Sequence, residues 1–204
     1  CRLIHLIMSN YIINPFTTPS FDMNTFLEDV YKGIMLGDVL VDLESDAIQR
    51  ILDKIALDNK YTDEYKMWAQ IQEIGLETRR IGLGFFGLAD CIAKMNLSYS
   101  ESISFIESLM KHKMSVELQA EVDLAILKGT FKGYDKEWYI KSNNFFEIIA
   151  TEFPSDYERM KQYGYRNISW STVAPTGSLA ILYNVSGGIE PVFKPFYKRR
   201  VKCV

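Results

Sequence analysis

The segment RRIGLGFFGLADCIAKM, residues 79–95, constrains the fold more than any other. A short apolar run carries Gly82, Gly84 and Gly87 and then leads straight into a helix-forming stretch. Helical periodicity lies on both sides of it. Upstream, Asp22 reads as an N-cap, and Met23, Phe26, Leu27, Val30, Ile34 and Val41 recur at steps of three, four or seven. The second half of that helix, IMLGDVLVDL, is apolar on nearly all sides and predicts burial between neighbours. Further helices are expected over about 45–57 and 62–76. Downstream, residues 98–129 predict one long helix, capped by Ser100 and closed by Gly129. Residues 1–13, NISWSTV before Ala174, and GGIEPVFKPFYKRRV read as strand or extended segments. Strands separated by long helices predict an α/β fold. The strands are few for so many helices, which suggests an incomplete α/β barrel or a sheet whose partners lie elsewhere.

Gly82, Gly84 and Gly87 match G-x-G-x-x-G, the loop that cradles a dinucleotide. That motif needs a second strand ending in an acid about 20 residues on. Here the acid is Glu107, inside a long amphipathic helix. Tight strand-to-helix packing therefore explains these glycines better.

A second constellation follows NISWSTV. Pro175 cannot donate a ladder hydrogen bond, so an extended segment should stop there. Thr176, Gly177, Ser178 and Leu179 follow, and a short helix can start at Ser178. Free N–H groups, two hydroxyls and a glycine without a side chain make an anion site. An ordinary turn with a serine cap is the equal alternative. Gly187, Gly188, Ile189, Glu190 and Pro191 suggest a special backbone path, beside a site or as a plain loop.

Three cysteines make no disulfide framework in a chain of 204 residues, and they suit a reducing, cytoplasmic setting. Cys91 lies on an apolar helix and reads as a core thiol. Cys203 sits in the basic stretch KRRVKC and is assigned no role. If residues 1–13 form a strand, His5 shares a face with Cys1. A Cys–His nucleophile pair is one reading, on weak grounds. His112, between Lys111 and Lys113, reads as a solvated helix residue. The net charge of −3 gives no basic excess for nucleic acid. No run approaches the roughly 18 apolar residues of a membrane span, and no metal-ligand spacing stands out.

Four segments together carry a family resemblance. RRIGLGFFGLAD is similar to the R-x-I-G-L-G-V-x-G-L-A-D segment of ribonucleotide reductase large chains. RNISWSTVAPTGSLAILYNVSGGIEP resembles their R-N-x-x-x-x-x-x-A-P-T-G-[ST] strand and loop with S-S-G-I-E-P after it. FYKRRV resembles the tyrosine-then-arginine stretch that follows. CRLIHLIMSNYI resembles C-x-L-x-x-x-N-L, with Ile7-Met8 in place of Asn-Leu.

The resemblance implies the second half of a ten-stranded α/β barrel, with residues 1–204 as one partial domain. It implies that Pro175, Thr176, Gly177, Ser178 and Leu179 bind the phosphates of a ribonucleotide. It implies that Cys1 is one of the two thiols whose electrons reduce the ribose, ending as a disulfide. A thiyl radical on a third cysteine, in an N-x-C-x-E motif, starts that chemistry; the motif does not occur in these residues. The radical would come from adenosylcobalamin, which APTGS followed by SGGIEP favours, or from a metal-containing radical subunit.

A reductant of thioredoxin or glutaredoxin type, the upstream remainder of the large chain and a second copy as homodimer are the implied partners. Neither nucleic acid nor membrane is expected. The start at Cys1 and the end in RRVKCV read as those of a fragment, expected to be inactive alone. The rival readings are a split or interrupted gene piece that works only with its other half, and a related radical enzyme of the same barrel fold.

Overall fold

A computed structural model of the chain describes residues 2–59, 62–137, 144–192, 194 and 196. Cys1, Cys203 and, in the FYKRRV tail, the residues after Phe196 lie outside the described residues. In order, the elements are β1 (Arg2–Ile7), a 3-10 turn (Met8–Tyr11), β2 (Ile12–Ile13), β3 (Ser20–Phe21) and α1 (Met23–Asn59). Then come α2 (Asp63–Thr78), β4 (Ile81–Phe86), α3 (Leu88–Lys94), α4 (Ile103–Lys128), α5 (Asn144–Glu152), α6 (Pro154–Tyr163) and α7 (Gly177–Tyr183).

β1 and β4 pair in parallel, with Leu3 opposite Gly82 and His5 opposite Gly84. Every residue of β4 is buried, as expected of a strand covered on both faces. The other edge of β4 is joined by an extended segment. Ile81 donates to the Ser169 carbonyl at 3.0 Å, and Thr172 donates to the Leu83 carbonyl at 3.2 Å. NISWSTV thus runs beside β4, but among the described residues its only ladder bridge is Leu83 to Ser171. The bonds shift register from Ser169 to Trp170, so no regular strand forms. GGIEPV, expected to be extended, instead makes a turn, with Glu190 donating to the Gly187 carbonyl at 3.1 Å. The parallel pair and its helices agree with an α/β class, and no closed barrel is formed among the described residues.

Asp22 caps α1 as expected: its carboxylate accepts from the Thr25 N–H at 3.1 Å and from the Thr25 hydroxyl at 2.8 Å. The helix then runs 37 residues without the expected break near residue 45. Nothing between Glu44 and Asn59 is Gly or Pro, so nothing stops it. Gly33 and Gly37 are notches on its inner face. A Cβ on Gly33 would lie 2.8 Å from Leu83 Cδ1, and one on Gly37 would lie 2.8 Å from Ile81 Cδ1. These notches let the helix axis settle onto β4. The opposite side is not buried as expected: Leu36, Val39 and Leu43 are exposed.

The long downstream helix is capped in position by Ser102, not Ser100. Ser98 and Glu101 bond each other one turn earlier and hold Ser100 in a turn. Gly129 closes the helix at φ +82°, donating to the Ala125 carbonyl. Tyr165, Phe131, Phe146 and Trp170 form an aromatic cluster beside α4. No described helix is long and apolar enough to cross a membrane.

Candidate functional site

The two faces of the β1–β4 pair differ in kind. Ile81 and Leu83 point at α1, and Ile4 and Leu6 pack in the same core. On the opposite face Gly82 and Gly84 leave bare backbone, and neighbours lean across it. A Cβ on Gly82 would lie 2.9 Å from Leu3 Cδ2 and 3.0 Å from Thr172 Cγ2. One on Gly84 would lie 2.9 Å from His5 Cδ2 and 3.0 Å from the Thr172 carbonyl oxygen. The G-x-G-x-x-G match is thus mostly strand, and its first two glycines serve packing. Gly87, at φ +73°, turns the chain from β4 into α3.

At the carboxyl ends of these strands, three separate parts of the sequence meet. The Gly87 N–H donates to the Ser186 carbonyl at 2.9 Å, and the Ser186 N–H donates to Asp90 at 2.6 Å. The Gly188 N–H donates to Thr176 Oγ1 at 2.9 Å. The start of α3, the SGGIEP turn and the APTGS loop therefore form one unit, although residues 87 and 188 are far apart in sequence. Strand carboxyl ends are where parallel α/β sheets place their ligands.

Within the loop the roles differ from residue to residue. Thr176 is buried, and its hydroxyl is turned inward onto Gly188, so it supports the loop and does not line an open face. That corrects the expectation of two free hydroxyls. Ser178 is exposed. The helix begins at Gly177, one residue before the expected Ser178. Its first backbone bond runs from Ala180 N–H to Thr176 O at 2.7 Å. The N–H groups of Gly177, Ser178 and Leu179 precede that bond and have no acceptor within the helix. A Cβ on Gly177 would meet no protein atom within 4 Å, and its backbone is not in the left-handed region. The space above Gly177 is open.

The segment that leads into the loop is anchored by buried charge that sequence reasoning did not single out. Asp38, on α1, accepts from Arg79 Nε at 2.7 Å, Lys128 Nζ at 3.0 Å and Arg166 Nε at 3.2 Å. Asn167 donates to the Arg79 carbonyl at 2.8 Å. The backbone N–H groups of Arg166 and Asn167 both donate to Glu121 Oε2, at 3.1 and 2.8 Å. Lys113, itself buried, pairs with Glu117 and donates to Ser171 Oγ at 3.0 Å and the Leu83 carbonyl at 3.3 Å. An aspartate inside the apolar run IMLGDVLVDL was the available signal, because a buried charge has a partner.

Burial pushes the Glu121 carboxyl well above the carboxylate range, against the two N–H groups that favour its charge; Asp38 and Glu117 add to the rise. Because the folded form holds its proton where the unfolded form has lost it, stability falls as pH rises above the ordinary carboxylate range. Glu121→Gln should keep an acceptor for both N–H groups and remove that slope. Urea midpoints measured from pH 5 to 8 should decline for the parent chain and stay level for Glu121→Gln; parallel curves would contradict it.

The described cysteine, Cys91, is buried, and burial pushes its thiol up to about 12, as suits a core residue. His112 sits on the surface of α4, its Nδ1 2.7 Å from its own helix's Ser108 carbonyl. Among the described residues no group of three His, Cys, Asp or Glu side chains could hold a metal ion. A cavity of about 260 Å³ lies beside the aromatic cluster, between Met114, Phe145 and Ser171. No residue of the Pro175–Leu179 loop lines it.

Comparison with known proteins adds to this geometry. The family model for the ribonucleotide reductase barrel domain matches residues 5–203. A vitamin B12-dependent ribonucleoside-diphosphate reductase of Thermoplasma acidophilum is 30% identical over 155 residues, covering 74% of this chain and 17% of its own length. The ribonucleoside-diphosphate reductase subunit alpha of Helicobacter pylori is 27% identical over 162 residues, covering 71% and 20%. The large subunit from Caenorhabditis elegans is 25% identical over 203 residues, covering 95% and 23%. The chain therefore spans about a fifth of the length of these relatives. The family match embraces both the glycine strand and the APTGS loop that the fold brings together, and the chain belongs to the ribonucleotide reductase family, within its barrel domain.

Proposed function

We propose that this chain is part of the catalytic barrel of a reductase that converts ribonucleotides to deoxyribonucleotides, and that Pro175–Leu179 holds the substrate's phosphates. The open backbone at Gly177 carries the reading. Three N–H groups precede the first helical bond, no side chain stands over Gly177, and the inward Thr176 hydroxyl braces the turn from behind. Charge-assisted hydrogen bonds from such a turn are worth roughly 1.5–3 kcal/mol each.

The chain's own residues would bind and orient the nucleotide, and Ser178 would add a hydroxyl at the rim. Cys1, matched by resemblance to one of the redox thiols, would supply reducing electrons and finish in a disulfide. A thioredoxin-type or glutaredoxin-type protein would restore it. The radical is assigned to groups other than the described residues. Adenosylcobalamin is the proposed source, since relatives named as vitamin B12-dependent are among the matches; a metal-containing radical subunit is the alternative. Assembly with the remaining barrel, a homodimeric state and a cytoplasmic location complete the proposal.

The test is Gly177→Val in the polypeptide that carries this segment. A Cβ at this position meets no protein atom within 4 Å, so the fold should survive. The dissociation constant for a ribonucleoside diphosphate should rise about tenfold or more, at about 1.4 kcal/mol per decade. Binding of the unphosphorylated ribonucleoside should change little. Unchanged diphosphate affinity in a folded Gly177→Val protein would refute the assignment.

A further inference from the structure

The cavity beside the aromatic cluster has walls of one kind and a polar group left unanswered. Met114 of α4, Phe145 and Phe146 of α5, and Tyr165, Ile168 and Trp170 line about 260 Å³. That is more than the roughly 150 Å³ that holds one benzene and less than the roughly 300 Å³ at which drug-sized pockets begin, so it suits a pair of fused rings. The wall rings meet one another tilted or edge-on: Trp170 meets Tyr165 at 67° and Phe145 at 55°, and Phe145 meets Phe146 at 69°. None of these pairs is stacked, so a flat guest can add the offset face contact that the wall rings do not give one another.

No described lining residue carries a charge. Lys113, which donates to Ser171 Oγ at the wall, is already paired with Glu117. The Ser169 hydroxyl donates to the Ile81 carbonyl at 3.1 Å. Trp170 differs from these. It is 4% exposed, and its indole Nε1–H is buried with no acceptor among the described residues. Buried donors nearly always have a partner, and an indole N–H can only donate, so the group it calls for is an acceptor. A water molecule there would need two to four polar partners of its own, and this wall is mostly ring and aliphatic carbon. We propose that the cavity is a binding site for a flat, uncharged heteroaromatic molecule, stacked on the wall rings, with a ring nitrogen or a carbonyl accepting from Trp170 Nε1–H. No residue of the Pro175–Leu179 loop lines the cavity, so this proposal and the phosphate reading stand or fall separately.

Calorimetric titration of the polypeptide that carries this segment with N-methylbenzimidazole and N-methylindole tests this. The probes have the same shape, both are uncharged in mildly basic buffer, and only the benzimidazole has a ring nitrogen with a lone pair to accept. Wild type should bind the benzimidazole about tenfold more tightly than the indole, a difference of about 1.4 kcal/mol. Trp170→Phe keeps a ring in the wall and removes the N–H, and should bring the two affinities to within about twofold of each other. In wild type the benzimidazole should also move one indole N–H proton resonance downfield and the methylindole should not, which decides the matter if Trp170→Phe does not fold. Binding of neither probe would overturn the proposal and show that other parts of the polypeptide fill the space. Equal affinities in folded wild type would overturn it as well, as would a preference that survives in Trp170→Phe. None of these outcomes bears on the Gly177→Val test.

Discussion

Asp38→Ala should destabilise the chain by about 3–5 kcal/mol, the usual result of removing one partner from a buried ionic group. Asp38 has no exposed side-chain surface, and three cations converge on it: Arg79, Arg166 and Lys128. Arg79 is itself only 4% exposed, so its charge cannot turn to water when the carboxylate is gone. Asp42, half exposed, would remain as its partner and limit the loss. Burial alone would raise the Asp38 carboxyl, but the bonds from Lys128 and Arg79 outweigh it and leave the group below the usual carboxylate range. A depressed folded value means that its stabilisation is present above the unfolded value of about 3.9 and is lost as pH falls through the folded one. Urea unfolding should show a lower midpoint at neutral pH with unchanged slope, and a smaller further loss on acidification than in the parent chain. An unfolding free energy within about 1 kcal/mol of the parent would show that the cations find other partners. Asn167 and Arg166 share this aspartate, so the loss should also loosen the start of the segment leading to the loop.

Tyr165→Ala should cost a similar amount for a different reason. Tyr165 is 1% exposed and is the largest fully buried side chain described. Its ring meets Phe131 at 5.6 Å, Tyr134 at 5.2 Å, Phe146 at 5.6 Å and Trp170 at 5.4 Å between centroids. Truncating a buried aromatic loses its transfer free energy and leaves a hole, together about 3–5 kcal/mol. Offset and edge-on ring pairs add to that. For a domain of this size the midpoint of thermal unfolding should drop by roughly 6–20 °C. Tyr165→Phe, which keeps the ring, should recover most of the loss. The near-ultraviolet signal of Trp170 should weaken in the alanine variant at temperatures where it is still folded. A drop of under 3 °C would mean that the cluster closes over the gap.

Local chemistry was legible in the sequence wherever one residue decides the outcome. Asp22 was the readable cap of α1 and Gly129 the readable close of α4, whereas the apolar run 81–86 could be read as strand or turn and is a buried strand. The packing role of Gly82 and Gly84 was also readable, because Glu107 stands on a helix and not at the end of a second strand. What stayed hidden depends on pairs distant in sequence. No periodicity tells that Asp38 faces Arg79 and Arg166, or that Thr176 turns its hydroxyl toward Gly188. The register slip between Ser169 and Trp170 is set by the partner strand, so NISWSTV looked like a regular strand and is not. The continuity of α1 past residue 45 follows from the absence of a stop signal, which is harder to see than its presence.

A helix of 37 residues is about 55 Å long at 1.5 Å per residue, whereas the six-residue strand it covers spans about 20 Å. Its notches, Gly33 and Gly37, seat only the near half on the sheet. Beyond them the far half is tied to α2 through Gln72, which bonds Ser45 and Gln49. Mechanically this is a cantilever, clamped at Leu83 and Ile81 and stiffened by a second beam. A load applied near Leu52 would reach the strands as torque about the glycine clamp, and Asp38, one residue past Gly37, is the first ionic group on that fulcrum.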